Sequence, residues 1–328
     1  MTAPIVTIFG GSGFVGRYVA RRMAKAGWRV RVAVRRPNEA IFVRPYGDVG
    51  QVEPIQANVR DEASTRRAIE GASAVINCVG VLVENGKQSF KALQAEAPGR
   101  IARLAAECGV ERLVHVSAIG ADAASESAYA RTKAEGEAAV LAAFPGAAIL
   151  RPSVIFGRED GFFNRFAEMA RFSPALPLVG PETRFQPVYV DNVAEAACNA
   201  VTTGAAPGVY ELGGPRVYSF RGLMEVMLAE IRRRRLVVGV PFFIAGIMAW
   251  FLDMAQKLSF GLVDNFILTR DQVRMLAHDN VATEGARGLS DLGVAPVSVE
   301  SAIGDYLYAF RPNGQYDAIT ESAARLKG

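Results

Sequence analysis

The sequence predicts an α/β fold: a doubly wound parallel sheet followed by a smaller, mostly helical C-terminal region. Three observations carry that expectation. Apolar, β-branched runs alternate with stretches of helical period through the first half of the chain. A glycine cluster, Gly10-Gly11-Ser12-Gly13-Phe14-Val15-Gly16, stands where the first strand pattern gives way to the first helical one. After Pro152 the alternation dissolves into longer loops rich in proline. Half of the 328 residues are hydrophobic and 21% are charged, which suits a chain that buries a large core.

The elements follow in order. A strand over 4–9 ends at Phe9, and a helix over 14–26 begins, with Val15, Val19 and Met23 recurring every four residues and arginines between them. Further strands are expected at 29–35, 51–56, 73–79, 111–117 and 147–151, and further helices at 61–70, 88–108 and 126–143. Gly27, Gly71, Gly109 and Gly146 fall just past helices, where C-caps belong. Such alternation requires right-handed crossovers and helices on both faces of the sheet. Residues from about 153 to 187 read as a loop insertion carrying Pro174, Pro177, Pro181 and Pro187. Segment 188–213 returns to the sheet. The expected domains are therefore 1–213 and a helical 214–328.

Composition excludes several functions. A net charge of +4 is too small to argue for nucleic acid, and no recognition-helix or RNA-binding pattern is present. Cys78, Cys108 and Cys198 are far apart in apolar or helical contexts and read as buried thiols of a reducing compartment. The two histidines, His115 and His278, form no metal-ligand spacing with cysteine, so no metal is expected. The first strand begins by residue 5, so no leader peptide is expected ahead of it, and the chain reads as a cytoplasmic bacterial protein or an already processed organelle protein, the former being the simpler.

The glycine cluster carries the chemistry. Gly11, Gly13 and Gly16 satisfy G-x-G-x-x-G between a strand and a helix, the context in which that pattern binds a dinucleotide. The first glycine permits the turn, the second lets backbone approach the pyrophosphate, and the third lets helix pack on strand. The phosphates would meet free N–H groups at the positive end of the helix dipole. The second strand then ends Arg35-Arg36, where an NAD-selective site would place an acid. Two guanidinium groups match a 2′-phosphate, so NADP(H) is favoured over NAD(H). The competing reading is a solvated arginine pair at a strand end. Farther on, Tyr129 and Lys133 form Y-x-x-x-K on a helix and face one way. An ammonium beside a phenol is expected to lower the tyrosine pKa toward neutrality and fit it for proton transfer beside a nicotinamide. Core packing of the tyrosine and a solvated lysine tip would be the plainer role.

These features, with Asn58-Val59-Arg60-Asp61, the strand Val75 to Gly80 and Ser117, resemble the extended and atypical short-chain dehydrogenase/reductase superfamily over roughly the first 215 residues. The run Leu150 to Ala167, with Arg151-Pro152-Ser153 and Gly157-Arg158-Glu159-Asp160-Gly161-Phe162-Phe163-Asn164, is similar to one branch of it. So are Gln186-Pro187-Val188-Tyr189-Val190 and Leu268-Thr269-Arg270-Asp271-Gln272-Val273. That branch is the nucleotide-binding accessory subunit of respiratory NADH:ubiquinone oxidoreductase (complex I) and its α-proteobacterial relatives. The resemblance implies a tightly held NADPH outside the electron path, a place on the peripheral arm near the membrane, and other complex I subunits as partners. It implies cofactor contacts from Gly10, Gly11, Ser12, Gly13, Phe14, Val15 and Gly16 to the pyrophosphate. Arg35 and Arg36 would hold the 2′-phosphate, Asn58 the adenine side, and Tyr129 and Lys133 the nicotinamide ribose. Val79, Gly80, Ser117, Pro152 and Ile155 complete the set. Active relatives carry a hydroxyl one or two places after the serine of the fifth strand; here Ala118 and Ile119 follow Ser117. A sound cradle with an incomplete active site fits tight binding without turnover. The alternative is an NADP-dependent reductase or epimerase acting on a small hydroxy/keto or sugar-nucleotide substrate, with Tyr129, Lys133 and Ser117 as its catalytic group. A redox-sensing binding module is a third class.

Arg232-Arg233-Arg234-Arg235 precede an uncharged run from Leu236 to Leu252, 17 residues long and broken by Gly239 and Pro241. Asp253 and Lys257 follow. A spanning helix wants about 20 apolar residues. The favoured reading is a segment over about 232–260 that lies on the membrane surface or docks on a partner, with arginines at anionic headgroups. A buried helix beside a solvated arginine run, and a spanning helix, are the other readings. The expected location is peripheral, on the cytoplasmic face of a bacterial inner membrane.

Overall fold

The structure, a computed structural model, describes residues 3–258 and 268–316. Residues 259–260 of the expected membrane-facing stretch and 317–328 of the expected helical region lie outside the described residues. The strands are β1 (Ile5–Phe9), β2 (Arg29–Val34), β3 (Val52–Gln56), β4 (Ala74–Asn77), β5 (Arg112–Val116), β6 (Ala148–Pro152), β7 (Ile155–Phe156), β8 (Ala175–Val179), β9 (Arg184–Phe185), β10 (Val188–Tyr189), β11 (Gly208–Leu212), β12 (Tyr218–Ser219) and β13 (Leu236–Val240). The α-helices are α1 (Phe14–Lys25), α2 (Glu62–Ile69), α3 (Ala97–Glu107), α4 (Ala128–Ala143), α5 (Phe163–Phe172), α6 (Val190–Asn199), α7 (Phe220–Glu230), α8 (Phe242–Leu258), α9 (Arg270–Met275), α10 (Val299–Ala302) and α11 (Gly304–Leu307).

Seven strands form one sheet in the order β11-β6-β5-β4-β1-β2-β3, and every pairing is parallel. The chain runs outward from β1 to β3, returns to β4 on the other side of β1, and continues to β6. Order reverses between β1 and β4, and that gap is the topological switch point of a doubly wound sheet. The central strands are buried on both faces, which is why they read as unbroken apolar runs. Val19, Met23, Val193 and Ala197 from α1 and α6 cover one face. Ala68, Ile69, Ile101, Leu104 and Val140 from α2, α3 and α4 cover the other.

The expected helix over 88–108 is a π turn over Lys91–Glu96 followed by α3. Pro98 explains the change. It lacks the N–H that would close on the Gln94 carbonyl four residues back. That carbonyl faces α4 instead, where a Cβ on Gly136 would overlap it. Gly27, Gly71 and Gly109 take positive φ past their helices, as expected of C-caps, whereas Gly146 is not among the positive-φ glycines.

The 153–187 segment holds more structure than loops: β7, α5, β8 and β9 lie within it. Pro177 masks β8, and the structure tolerates it because, among the described residues, β8 pairs only with β13. A second core draws on both this segment and the C-terminal region, uniting Phe156, Phe163, Leu176 and Phe185 with Leu223, Met227, Ile303 and Leu307. Phe220, at the start of α7, meets three rings of the segment: Phe162, stacked at 5.6 Å, and Phe166 and Phe185, edge-on at 5.5 Å. The uncharged run 236–252 is not one helix. Pro241 divides it into β13, which contains Gly239, and α8. Among the described residues no helix is long and apolar enough to cross a membrane.

Candidate nucleotide site

All the residues expected to bind a nucleotide lie along the C-terminal edge of the sheet. Gly10, at φ +73°, turns the chain off β1. A Cβ there would stand 3.2 Å from the Cys78 carbonyl and the Val79 nitrogen, so this turn touches the end of β4. A Cβ on Gly16 would overlap the Gly10 carbonyl and lie 2.7 Å from Gly11 Cα, so α1 rests directly on the turn. A Cβ on Gly13 meets only the Gly10 oxygen, at 3.2 Å. Gly13 is also the N-cap of α1 and offers no side-chain cap, whereas α2, α4, α7 and α9 are capped by Asp61, Ser127, Ser219 and Thr269. The first amides of α1, at Phe14, Val15 and Gly16, thus lack intrahelical acceptors. An uncapped helix start beside a bare turn fits a pyrophosphate.

Arg17, which the sequence did not single out, braces the turn. Its guanidinium donates to the Gly13 and Ser12 carbonyls at 3.3 and 3.2 Å and pairs with Glu159 at 3.3 Å. Glu159 also accepts the Tyr18 hydroxyl, at 2.8 Å, so the 153–187 segment reaches the mouth of the turn. Arg35 and Arg36 leave β2 exposed to solvent. Glu39 pairs with Arg36 at 2.9 Å, an acid that the sequence pattern of an acid-free pocket did not count. Both partners are well exposed, and such a pair is worth little against a phosphate. Asn58 follows β3 with its side-chain oxygen accepting the Arg60 amide at 3.2 Å, which fixes the turn into α2.

The centre of the site is buried and polar. Asn77 ends β4; its side-chain oxygen accepts the Val79 amide at 3.1 Å, and its amide nitrogen lies 3.1 Å from His115 Nδ1. Asn77 thereby orders Val79 and Gly80 at the switch point. Burial, helped by the nearby Lys133 ammonium, pushes His115 down to about 3, so the ring is neutral at physiological pH. Lys133 is 4% exposed and donates to the Val116 carbonyl at 3.3 Å. Burial brings its pKa down to about 8, opposed by Glu137 and Cys78. A Cβ on Gly80 would stand 3.5 Å from its Nζ. Ser117 follows β5, with its hydroxyl buried and without a partner among the described residues. Pro152 ends β6 with its carbonyl accepting the Ile119 amide at 3.0 Å, and Ile155 opens β7.

The tyrosine departs from expectation. Lys133 Nζ sits 5.9 Å from the centre of the Tyr129 ring, so the spacing does bring the pair together. The phenol pKa nonetheless moves up, to about 12, not toward neutrality. Withdrawal from water is the larger cause and the Asp271 carboxylate the second. The ammonium is itself desolvated and does not offset them.

Asp271 and Asn280 join the site from the far end of the chain. Asp271, in α9, accepts hydrogen bonds from the Ala128 amide at 2.7 Å, the Tyr129 amide at 3.2 Å and the Ser127 hydroxyl at 2.8 Å. Asn280 accepts from the Ser153 hydroxyl at 2.7 Å and the Val154 amide at 3.0 Å, and donates to the Ile119 carbonyl at 3.3 Å. It stitches the Ser117 loop to the end of β6. Asp160 organises the run Gly157–Asn164: its carboxylate accepts the Gly157, Phe162 and Asn164 amides and, at 2.7 Å, the Tyr306 hydroxyl. Burial raises its pKa.

A cleft of about 440 Å³ lies elsewhere, between α8 and α9, lined by Phe243, Ile247, Trp250, Val273, Arg270 and Arg274. There α8 turns its small residues inward. Ala245 and Ala249 are fully buried against Val179 and Val273. Its large ones face out, with Phe243 70% and Phe251 62% exposed. Of the four arginines before β13, Arg233 and Arg235 turn back to donate to the Phe310 and Ala170 carbonyls, at 3.0 and 2.8 Å, and Arg232 and Arg234 are exposed.

Comparison with known proteins adds four findings. The model of the NAD dependent epimerase/dehydratase family matches residues 6–213. The mitochondrial NADH dehydrogenase [ubiquinone] 1 alpha subcomplex subunit 9 of Arabidopsis thaliana is 36% identical over 316 residues, covering 94% of this chain and 79% of that one. The ceramide reductase of Caulobacter vibrioides is 32% identical over 240 residues, 71% of this chain and 73% of that one. Among solved structures, the NADPH-dependent quinone oxidoreductase of Escherichia coli, complexed with NADPH, superposes with a TM-score of 0.69 at 17% identity, over 90% of this chain and 97% of that one. That last likeness concerns the fold alone.

Proposed function

The chain belongs to the NAD dependent epimerase/dehydratase family, and on that premise we propose that it is a non-catalytic accessory subunit of a respiratory NADH:quinone oxidoreductase. It holds NADPH as a structural or regulatory group near the membrane. The observation that carries this reading is the span of the likeness to the complex I subunit: 94% of the chain, far beyond the nucleotide-binding half. The state of Tyr129 supports it. A general acid or base works best with a pKa near the operating pH, and this phenol sits at about 12. The alternative, an NADP-dependent reductase or epimerase, keeps the Tyr129/Lys133 pair in its favour. The test is direct. Tyr129→Phe leaves NADH oxidation by the assembled complex nearly unchanged, and natively purified protein releases NADP(H). A substrate turned over by the isolated protein, and lost with Tyr129→Phe, would establish the enzyme.

Cofactor preference rests on Arg35 and Arg36. A charge-assisted pair is worth about 1.5–3 kcal/mol, so NADPH binds at least about ten-fold tighter than NADH, and Arg35→Ala with Arg36→Ala removes most of the difference. Equal affinity of the unmodified protein for both nucleotides overturns the choice.

The partners are other subunits of the complex and an anionic membrane surface, met by α8 on the cytoplasmic face of a bacterial inner membrane. Among the described residues nothing covers the face of α8 that shows phenylalanines, and such a face suits a partner or a lipid surface. Exposed Arg232 and Arg234 contribute roughly 1 kcal/mol each at an anionic surface. Vesicles of phosphatidylglycerol and phosphatidylcholine bind the protein at low salt and release it partly at high salt. Indifference to such vesicles would leave only the protein partners.

A further inference from the structure

We propose that Asp271 is a positioning residue through which the α8–α9 docking face controls how Tyr129 and Lys133 hold a nucleotide. The nucleotide part rests on the function proposed above; the mechanical part does not.

The argument starts at the first turn of α4. A helix begins with amides that have no acceptor inside it. Ser127 serves one of them, at Ala130, with its hydroxyl oxygen 3.2 Å away. Asp271 serves the two before it, at Ala128 and Tyr129, and holds the Ser127 hydroxyl as well. The first turn of α4 is therefore closed by a residue 142 to 144 positions away in sequence. A carboxylate there also meets the positive end of the helix dipole. Tyr129 lies in that turn and Lys133 one turn later, so both inherit its position.

Asp271 is in turn held by α8. The six-residue α9 is too short to stand alone. Its first amide, at Arg270, donates to Asp253 of α8 at 3.2 Å. Its buried face, at Val273, packs on Ala245 and Ala249 of α8. Two caps thus stand in series: Asp253 of α8 on α9, and Asp271 of α9 on α4. Displacement of α8, by whatever covers its apolar face, moves Asp271 and opens the turn that carries Tyr129. Coupling of this kind is reciprocal, so a bound nucleotide must also tighten α8.

The experiment compares the unmodified protein with Asp271→Ala, Asp271→Asn, Ala245→Leu and the double variant Ala245→Leu/Asp271→Ala. Ala245→Leu wedges α8 from α9 without touching α4. The readouts are amide hydrogen exchange at Ala128 and Tyr129 without nucleotide, and the Kd for NADPH. Asp271→Ala speeds exchange at both amides at least ten-fold and weakens NADPH about ten-fold; Asp271→Asn, which keeps one acceptor oxygen, falls between. Ala245→Leu produces the same changes from a distance, and the double variant is no worse than Asp271→Ala alone. The proposal is overturned if Ala245→Leu leaves exchange at Ala128 and Tyr129 unchanged, or if its effect adds in full to that of Asp271→Ala. Should the unmodified protein bind no NADPH, the nucleotide reading fails, and the exchange data still decide whether α8 controls the turn.

Discussion

Helices α4 and α8 are nearly the same length, 16 and 17 residues, and each carries a glycine inside it, yet they end in opposite conditions. The chain itself supplies every partner α4 needs. Asp271 and Ser127 close its first turn, Arg151 of β6 pairs with Glu137 at 2.6 Å, and Gly136 lets α3's neighbour approach to contact. In α8 the alanine stripe is packed and Asp253 accepts the Arg270 amide, while Phe243, Ile247 and Phe251 face outward among the described residues. Where the described residues complete the packing, small residues admit a neighbour; where they do not, large apolar ones face outward. The difference separates a site built to hold its geometry from a surface built to be covered.

The sharpest way to break that comparison is to give both glycines a methyl group. Gly136→Ala drives a Cβ into the Gln94 carbonyl, and overpacking of this kind should cost about 3 kcal/mol in urea unfolding. Gly246→Ala meets nothing within 4 Å and should stabilise by about 0.5–1 kcal/mol, the helix propensity gain alone. Similar effects at the two positions would mean that α8 is as enclosed as α4.

Lys133→Met is next in size. The pKa falls from 10.5 unfolded to about 8 folded, so the buried ammonium costs most below pH 8, and the cost is recovered as pH rises from 8 to 10.5. The variant should be more stable than the unmodified protein by about 3 kcal/mol at pH 7, with the gap closing toward pH 10.5, while nucleotide binding is lost. An unchanged or lower stability at pH 7 would show that the lysine's partners outweigh its burial. His115 acts in the acid range. Its pKa falls from 6.5 to about 3, so the unfolded chain takes up a proton that the folded one refuses, and stability declines as pH drops from 6.5. His115→Gln should flatten that slope by up to about 1.4 kcal/mol per pH unit, measured by denaturant unfolding between pH 6.5 and 4. Smallest of all on stability is the substitution of Phe243, Trp250 and Phe251 by Ser. It should shift unfolding by no more than about 0.5 kcal/mol per position, yet abolish vesicle binding and loosen attachment to the complex. A loss of several kcal/mol would make α8 part of the core.

Much of the α4 side was legible in the sequence, because its signals are local. The glycine turn, the i,i+4 pair Tyr129/Lys133 and the strand ends at Val79, Gly80 and Ser117 each announce themselves within a few residues, and chain order alone sets the parallel sheet. Legibility fails where a residue acts across the chain. Asp271 belongs to a short run similar to one family branch, but nothing in that run says it closes the first turn of α4. Asn280, which ties Ser153 to Ile119, gives no signal. The tyrosine pKa goes the other way because spacing places the ammonium but does not measure burial. Strand β8 hides behind Pro177, and β13 was read as part of the membrane-facing segment because the break at Pro241 does not say that the residues before it pair with a distant strand.

The ring cluster around Phe220 has a consequence during synthesis. Phe162, Phe166 and Phe185 leave the ribosome before the residue that joins them, and about 35 residues separate Phe185 from Phe220. At 5–20 residues per second the interval is roughly 2–7 s. Ile303 and Leu307 of the same core follow several seconds later still. Over that time β11 completes the sheet while an aromatic flap hangs unshielded beside it. A chaperone that binds nascent apolar segments therefore has a defined window and a defined target, and a chain arrested after β11 (Gly208–Leu212) has emerged but before Phe220 has would present the sheet folded and the flap bare.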